Sequence, residues 1–156
     1  MSSVKPIPDE YTGITPHLVV DGAADAIDFY KKAFGAEEIS RNPAPDGKKL
    51  MHAAINVAGS TVYLCDDFPE WGPVRSPTAL GGTSVTIHQY VEDADAAVAR
   101  AEAAGAIVKM PVQETFWGDR YGTVADPFGH ERSFATHVRD MTPEEMEKAA
   151  AEFFGR

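Results

Sequence analysis

Two stretches of the chain repeat one order of residues. Val20 and Val91, Ala26 and Ala97, and Ile27 and Val98 each stand 71 positions apart, whereas Gly35 and Gly105, and Gly59 and Gly129, stand 70 apart. One residue is therefore lost at the end of the first helical pattern. Few architectures accept such a duplication. Each half must cover one face of a small sheet with its own helix, and the remaining faces must close against each other.

The repeated unit reads as a strand, a helix and three strands. Residues 14–20 alternate, with Ile14, Pro16, Leu18 and Val20 on one face and Thr15, His17 and Val19 on the other; Pro16 favours a sheet edge or a bulge. Asp21 is placed to cap a helix over 23–34, where Ile27, Tyr30 and Phe34 recur at helical spacing and Gly35 supplies the stop. Strands are expected over 37–41, 50–56 and 60–65, with a polar loop over 42–48. Residues 66–82, rich in Pro, Gly and Ser, show no period and read as a connector that covers a site or lets the halves separate.

The second unit opens with a strand over 83–91, its apolar face Val85, Ile87 and Val91 and its other face Ser84, Thr86, His88 and Tyr90. A helix over 94–104, capped by Asp93 and stopped by Gly105, carries Ala97, Val98 and Ala101 inward, and a strand over 107–112 follows. Residues 117–137 form two strands around a turn at Asp126, Pro127, Phe128 and Gly129. Thr142, Pro143, Glu144 and Glu145 make a capping box that starts a terminal helix bearing Met146, Ala150, Phe153 and Phe154. The organisation is an irregular arm (1–13), a first module (14–66), a connector (67–82), a second module (83–138) and a C-terminal helix (139–156).

Composition narrows the partners. A net charge of −10 with a pI near 4.8 leaves no clustered basic surface for nucleic acid. No apolar run approaches the roughly 20 residues that span a bilayer, and the N-terminal residues lack the apolar core of a signal peptide, so a cytoplasmic protein is expected. The single Cys65 can form neither an intrachain disulfide nor a centre held by several thiolates, and reads as a small buried hydrophobe.

Strand alternation yields a list of candidate site residues. If Leu18/Val20, Val62/Leu64 and Val85/Ile87 lie beneath helices, then Thr15, His17, Tyr63, Cys65, Thr86 and His88 occupy the opposite faces. On the last strand the same parity selects Glu131, Ser133, Ala135 and His137, with Phe134 in the core. A lining this polar and rich in histidine suits a small-molecule site.

The segments IDFYKKAFGAE (27–37), YVEDADA (90–96) and WGDRYGTVADPFGH (117–130), set in that repeat, resemble the vicinal oxygen chelate superfamily of glyoxalase I, bleomycin resistance proteins and extradiol dioxygenases. The resemblance covers roughly residues 12–140. It implies an α+β fold of two tandem βαβββ modules forming a curved mixed sheet around a concave site, commonly in a homodimer. Metal-using members place one ligand, usually His, Gln or Glu, on each of the first, fourth, fifth and eighth strands. Aligned through the quoted segments, those positions are Thr15, Tyr63, Thr86 and Ser133, and none suits a divalent transition metal, which prefers imidazole, carboxylate or thiolate.

The expected function is therefore the binding of a small organic molecule without a cofactor, with Thr15, His17, Tyr63, Thr86, His88, Trp117, Arg120, Tyr121 and Ser133 as contacts. Trp117, Phe116 and Tyr121 form either a stacking wall for a planar ligand or packing at a dimer seam. Asp119 and Arg120 are read as a salt bridge bracing the turn, or Arg120 as a contact to an anionic substrate. Two alternatives stand. One is a metal-dependent lyase, isomerase or dioxygenase with a divalent ion at a displaced site of His17, His88 and Glu131, aided by Cys65 or His137. There the ion would polarise vicinal oxygens and His52 or Glu131 would move a proton; the other alternative is a metal-free enzyme that uses His17, His88 or Glu131 as acid and base.

Overall fold

The computed structural model describes residues 4–11 and 13–155. Contacts divide the chain into two compact units, Met1–Lys31 with Gly35–Ser76, and Lys32–Phe34 with Pro77–Arg156. The first holds β1 (His17–Val20), β2 (Glu37–Pro43), β3 (Leu50–Val57), β4 (Ser60–Asp66) and most of α1 (Ala23–Phe34). The second holds α2 (Pro77–Leu80), β5 (Thr86–Tyr90), α3 (Ala94–Ala104), β6 (Ile107–Glu114), β7 (Asp119–Ala125), β8 (Glu131–His137) and α4 (Pro143–Phe154). The sheets have the same order, β1-β4-β3-β2 and β5-β8-β7-β6, with β1 and β5 parallel to their neighbours and the other pairs antiparallel. The fold is α+β, two βαβββ modules followed by a C-terminal helix.

Register preserves the sequence repeat. His17 pairs with Tyr63 in the first sheet and His88 with Ser133 in the second. Within the first unit, Leu18, Val20, Val62 and Leu64 are buried together with Ala26, Ile27 and Tyr30 of α1, as the alternation requires. In the second, Val98 and Ala101 of α3 are buried, as are Val124 and Phe134.

Several local expectations are corrected. The first strand begins at His17, after Pro16 rather than before it, and Ile14 is 98% exposed. Proline has no N–H to donate, so the ladder reaches back only as far as the Pro16 carbonyl, which accepts from Tyr63 N at 2.8 Å. On the fifth strand, Val85 lies outside the element and is exposed, while Ile87 is half-buried. The cause is coverage, because α3 lies chiefly across β6, β7 and β8. The connector is not structureless: it holds a 3-10 turn at Pro69–Trp71 and the short α2.

Helix starts differ as well. Asp21 does not cap α1, whose N-cap is Gly22 in the left-handed region. Instead the buried Asp66 at the end of β4 reaches across: its Oδ1 accepts from Gly22 N (2.8 Å) and Ala23 N (3.0 Å), and its Oδ2 from Leu50 N (2.7 Å). A carboxylate there satisfies otherwise unpartnered amides at the positive end of the helix dipole. Asp93 caps α3 through Ala96 N as expected, and Thr142 and Glu145 form the full capping box of α4. No residue of α4 is buried, and its Phe153 and Phe154 stay largely exposed while their rings meet Phe116, with centroids 5.2 and 6.0 Å apart.

Candidate functional site

In the first unit one sheet face gathers a ring cluster. His17 on β1 and Tyr63 on β4 are register partners, and His52 on β3 joins them on the same face. Ring centroids lie 4.5 Å apart for His52 and Tyr63, 6.1 Å for His17 and His52, and 6.0 Å for His17 and Tyr63. Burial, followed by repulsion from His52, lowers the His17 pKa below its ordinary value. From the N-terminal arm, Tyr11 supplies a short hydrogen bond between its hydroxyl and that of Tyr63. Thr15 precedes β1 and lines a small polar hollow of about 250 Å³ with Glu10, Tyr11 and Thr61.

Cys65 continues this face and is half-buried rather than fully so. Burial and the neighbouring carboxylates of Asp66 and Asp67 push its thiol pKa up, keeping it protonated.

In the second unit the corresponding face carries Thr86, His88 and Tyr90 of β5, Glu131, Ser133 and His137 of β8, and Asp119 and Tyr121 of β7. His88 Nδ1 lies 2.8 Å from the buried Ser133 Oγ in a hydrogen bond. The His88 imidazole also stacks near Tyr121, with centroids 6.0 Å apart and planes 23° from parallel, and meets Tyr90 edge-on at 5.0 Å. Trp117 extends the row, its ring 5.8 Å from that of Tyr121.

Asp119 is the polar hub of this face. Only 3% exposed, it accepts from Tyr90 OH (2.8 Å) and Trp117 Nε1 (3.2 Å) through Oδ2 and lies 2.8 Å from His137 Nδ1 through Oδ1. Burial works against its ionisation, yet the bonds from His137 and Tyr90 prevail and its pKa falls below the ordinary value. His137 Nε2 is 2.8 Å from Asp140, and the Asp140 and Asp119 bonds raise the imidazole pKa. Donation from both nitrogens is the imidazolium form.

The expected Asp119–Arg120 bridge is absent. Adjacent strand residues point to opposite faces, so Arg120 turns to the helix side and makes a two-pronged pair with Asp95 of α3 at 2.8 and 2.9 Å. Tyr11 and Asp119 were not selected from the sequence for this role, and Tyr90, placed on the His88 face by parity, was left out of the expected contacts. For Tyr90 and Asp119 the parity of their strands was a sufficient signal; for Tyr11, in an aperiodic arm, there was none.

Hydroxyls stand at the four positions that the resemblance implies for metal ligands, and their chemistry does not fit a transition metal. Tyr63 bonds Tyr11, Ser133 bonds His88, Thr15 lies outside the strand, and Thr86 stands opposite Glu131. Among the described residues no group of three or more His, Cys, Asp or Glu is arranged to hold an ion. Of the displaced set, His17 belongs to the first unit and His88 and Glu131 to the second.

The model of the Glyoxalase/Bleomycin resistance protein/Dioxygenase superfamily matches residues 11–134. The chain belongs to this superfamily. An uncharacterized protein of Mycobacterium bovis is 54% identical over 138 residues, covering 87% of this chain and 90% of that protein. A solved gene product of Arabidopsis thaliana is 34% identical with a TM-score of 0.64, over 80% of this chain and 98% of that one. The fosfomycin resistance protein FosX of Listeria monocytogenes, solved with manganese(II) and sulfate, shares the fold at 18% identity and a TM-score of 0.59, over 86% and 97% of the two chains. Superfamily membership sets the fold and not the chemistry. Among the described residues no helix is long and apolar enough to cross a membrane.

Proposed function

We propose that the protein binds a small organic molecule against the imidazole- and ring-lined faces of its sheets, without a metal at the superfamily's ligand positions. The observation that carries this reading is the state of those positions. They hold hydroxyls, Tyr63 engaged by Tyr11 in the first unit and Ser133 by His88 in the second, where Tyr121 and Tyr90 set their rings by His88 and Trp117 sets its ring by Tyr121. Such a surface recognises a planar ligand by stacking and orients it by hydrogen bonds. The assembly and location that go with the reading are a cytoplasmic homodimer, for which light scattering at micromolar concentration is expected to give twice the chain mass.

The test is a thermal-shift screen of chelator-treated protein against aromatic antibiotics and thiol adducts of α-ketoaldehydes. Stabilisation by at least one class is expected, unchanged when nickel, zinc or manganese is restored and reduced in His88→Ala and Tyr121→Ala. Stabilisation that appears only with metal contradicts the reading. A second reading, metal-free acid–base chemistry, draws on His17, whose lowered pKa leaves a neutral imidazole at pH 7 able to accept a proton beside His52. A ligand that is bound and recovered chemically unchanged removes it.

A further inference from the structure

The face that carries His17 and Tyr63 continues two residues along β1 and β4 into Val19 and Cys65, which are again register partners. Over that continuation the chain after β4 folds back as a loop closed at its base. Asp67 N donates to Val20 O (2.9 Å), and the Asp67 carboxylate accepts from Arg75 Nε and Ser76 N, each at 2.8 Å. Lys49 reinforces the base, donating from Nζ to Asp67 O at 2.7 Å and resting 5.0 Å from the centre of the Phe68 ring. The loop's own rings, Phe68 and Trp71, stack with centroids 4.3 Å apart and planes 10° from parallel. Between loop and strands lies an open cavity of about 380 Å³, its walls including Val19, Met51, Cys65, Phe68, Trp71 and Val74.

The chemistry of these walls is selective. Asp66 also reaches the cavity, but its two oxygens are turned to the backbone, where they accept three N–H groups. The remaining walls are apolar apart from a neutral thiol, and Trp71, 60% exposed yet held flat by Phe68, is a preformed stacking surface. The volume falls in the range that accepts small ligands, roughly 300–1,000 Å³.

We infer that this cavity holds the flat, uncharged aromatic part of the ligand, whose hydrogen-bonding part runs along the same face toward His17, His52 and Tyr63. The inference rests on the small-molecule reading and gives its ligand a class: a two- or three-ring aromatic with one polar substituent. It makes Trp71 and Val74 determinants of ligand shape, and Cys65 the floor of the ring site.

Cys65 is the single cysteine of the chain, so its reaction with a dithionitrobenzoate reagent at mildly alkaline pH reports on the cavity alone. The probes are 2-naphthol, its non-planar analogue decahydro-2-naphthol, and the charged naphthalene-2-sulfonate, all in chelator. At ten times its Kd, 2-naphthol is expected to slow labelling about tenfold, and the other two less than about twofold at the same concentration. Trp71→Ala is expected to abolish the protection. Should that variant lose the native circular dichroism spectrum, Val74→Trp, which fills the cavity, is expected to weaken 2-naphthol protection by a similar factor. Absence of protection, equal protection by either control compound, or full protection retained in the folded variant overturns the inference. Metal-free ligand stabilisation without Cys65 protection refutes the cavity assignment alone, whereas metal-dependent stabilisation refutes the small-molecule reading even where 2-naphthol protects.

Discussion

Asp66 in the first unit and Thr136 in the second stand 70 residues apart, at the same place in the repeat, and do the same job with different chemistry. Each brings a side-chain oxygen from the last strand of its module to the first amides of its helix. Asp66 accepts three backbone N–H groups, while Thr136 Oγ1 accepts one, from Ala94 at 2.8 Å, and donates to Val91 O at 3.0 Å. The module needs an acceptor there because a strand-to-helix connection leaves amides pointing inward, but it does not dictate which acceptor. The first unit has concentrated charge at its helix start. In the second, a buried carboxylate stands instead on the site face, Asp119 among Tyr90, Trp117 and His137, and another, Asp126, in the turn before β8.

The largest expected effects come from truncating the two acceptors. Asp66→Ala is expected to cost about 3 kcal/mol or more, since three amides lose one charged partner, and Thr136→Ala about 1 kcal/mol. Denaturant unfolding measures both, and equal costs would show that the two positions are not used differently. Next come the hairpin glycines Gly59 and Gly129, also repeat partners. Both have positive φ, but a Cβ at Gly59 meets open space while one at Gly129 would come 2.8 Å from Pro77 Cβ. Gly59→Ala is expected to cost about 1 kcal/mol, and Gly129→Ala at least about 2 kcal/mol.

Two histidines, one in each unit, are shifted in opposite directions. His17, in the first unit, has a folded-state pKa below its unfolded value of about 6.5, so its contribution is complete above that value and declines as pH falls toward the lowered one. His137, in the second, has a raised pKa; its contribution is complete below about 6.5 and is lost as pH rises through the folded value. Imidazole NMR titration should place the two on either side of 6.5, and Asp119→Asn should lower His137 while leaving His17 unchanged. The smallest effects belong to the exposed ion pairs. Glu38, held by Arg41 and then Lys31, should titrate at about 2. Breaking either that pair or Arg120–Asp95 should change stability by less than about 1 kcal/mol.

Much of this architecture was legible in the residues. Both module helices were placed to the residue, because apolar side chains recur at helical spacing and glycines stop them. The turn at Asp126–Gly129 was legible as well, since Asp126 Oδ1 can accept from Phe128 N and His130 N within five residues. What local patterns could not give was any partner far along the chain. Asp66 caps a helix more than 40 residues upstream, and nothing near Asp21 reveals that it is displaced from the role. The site faces were half legible. Parity placed His17, Tyr63, His88 and Ser133, but the same parity separates Asp119 from Arg120, and pairing those neighbours overlooked it. The connector was opaque because its Phe68–Trp71 stack and its closure by Asp67 have no period to read.

The proposal that Thr15, Tyr63, Thr86 and Ser133 hold no metal is tested most directly by metal content. The purified protein, dialysed separately against nickel, zinc, iron(II) and manganese and then gel-filtered, is expected to retain no stoichiometric metal by elemental analysis. One equivalent of any of these ions per chain, lost in Tyr63→Phe or Ser133→Ala, would contradict it.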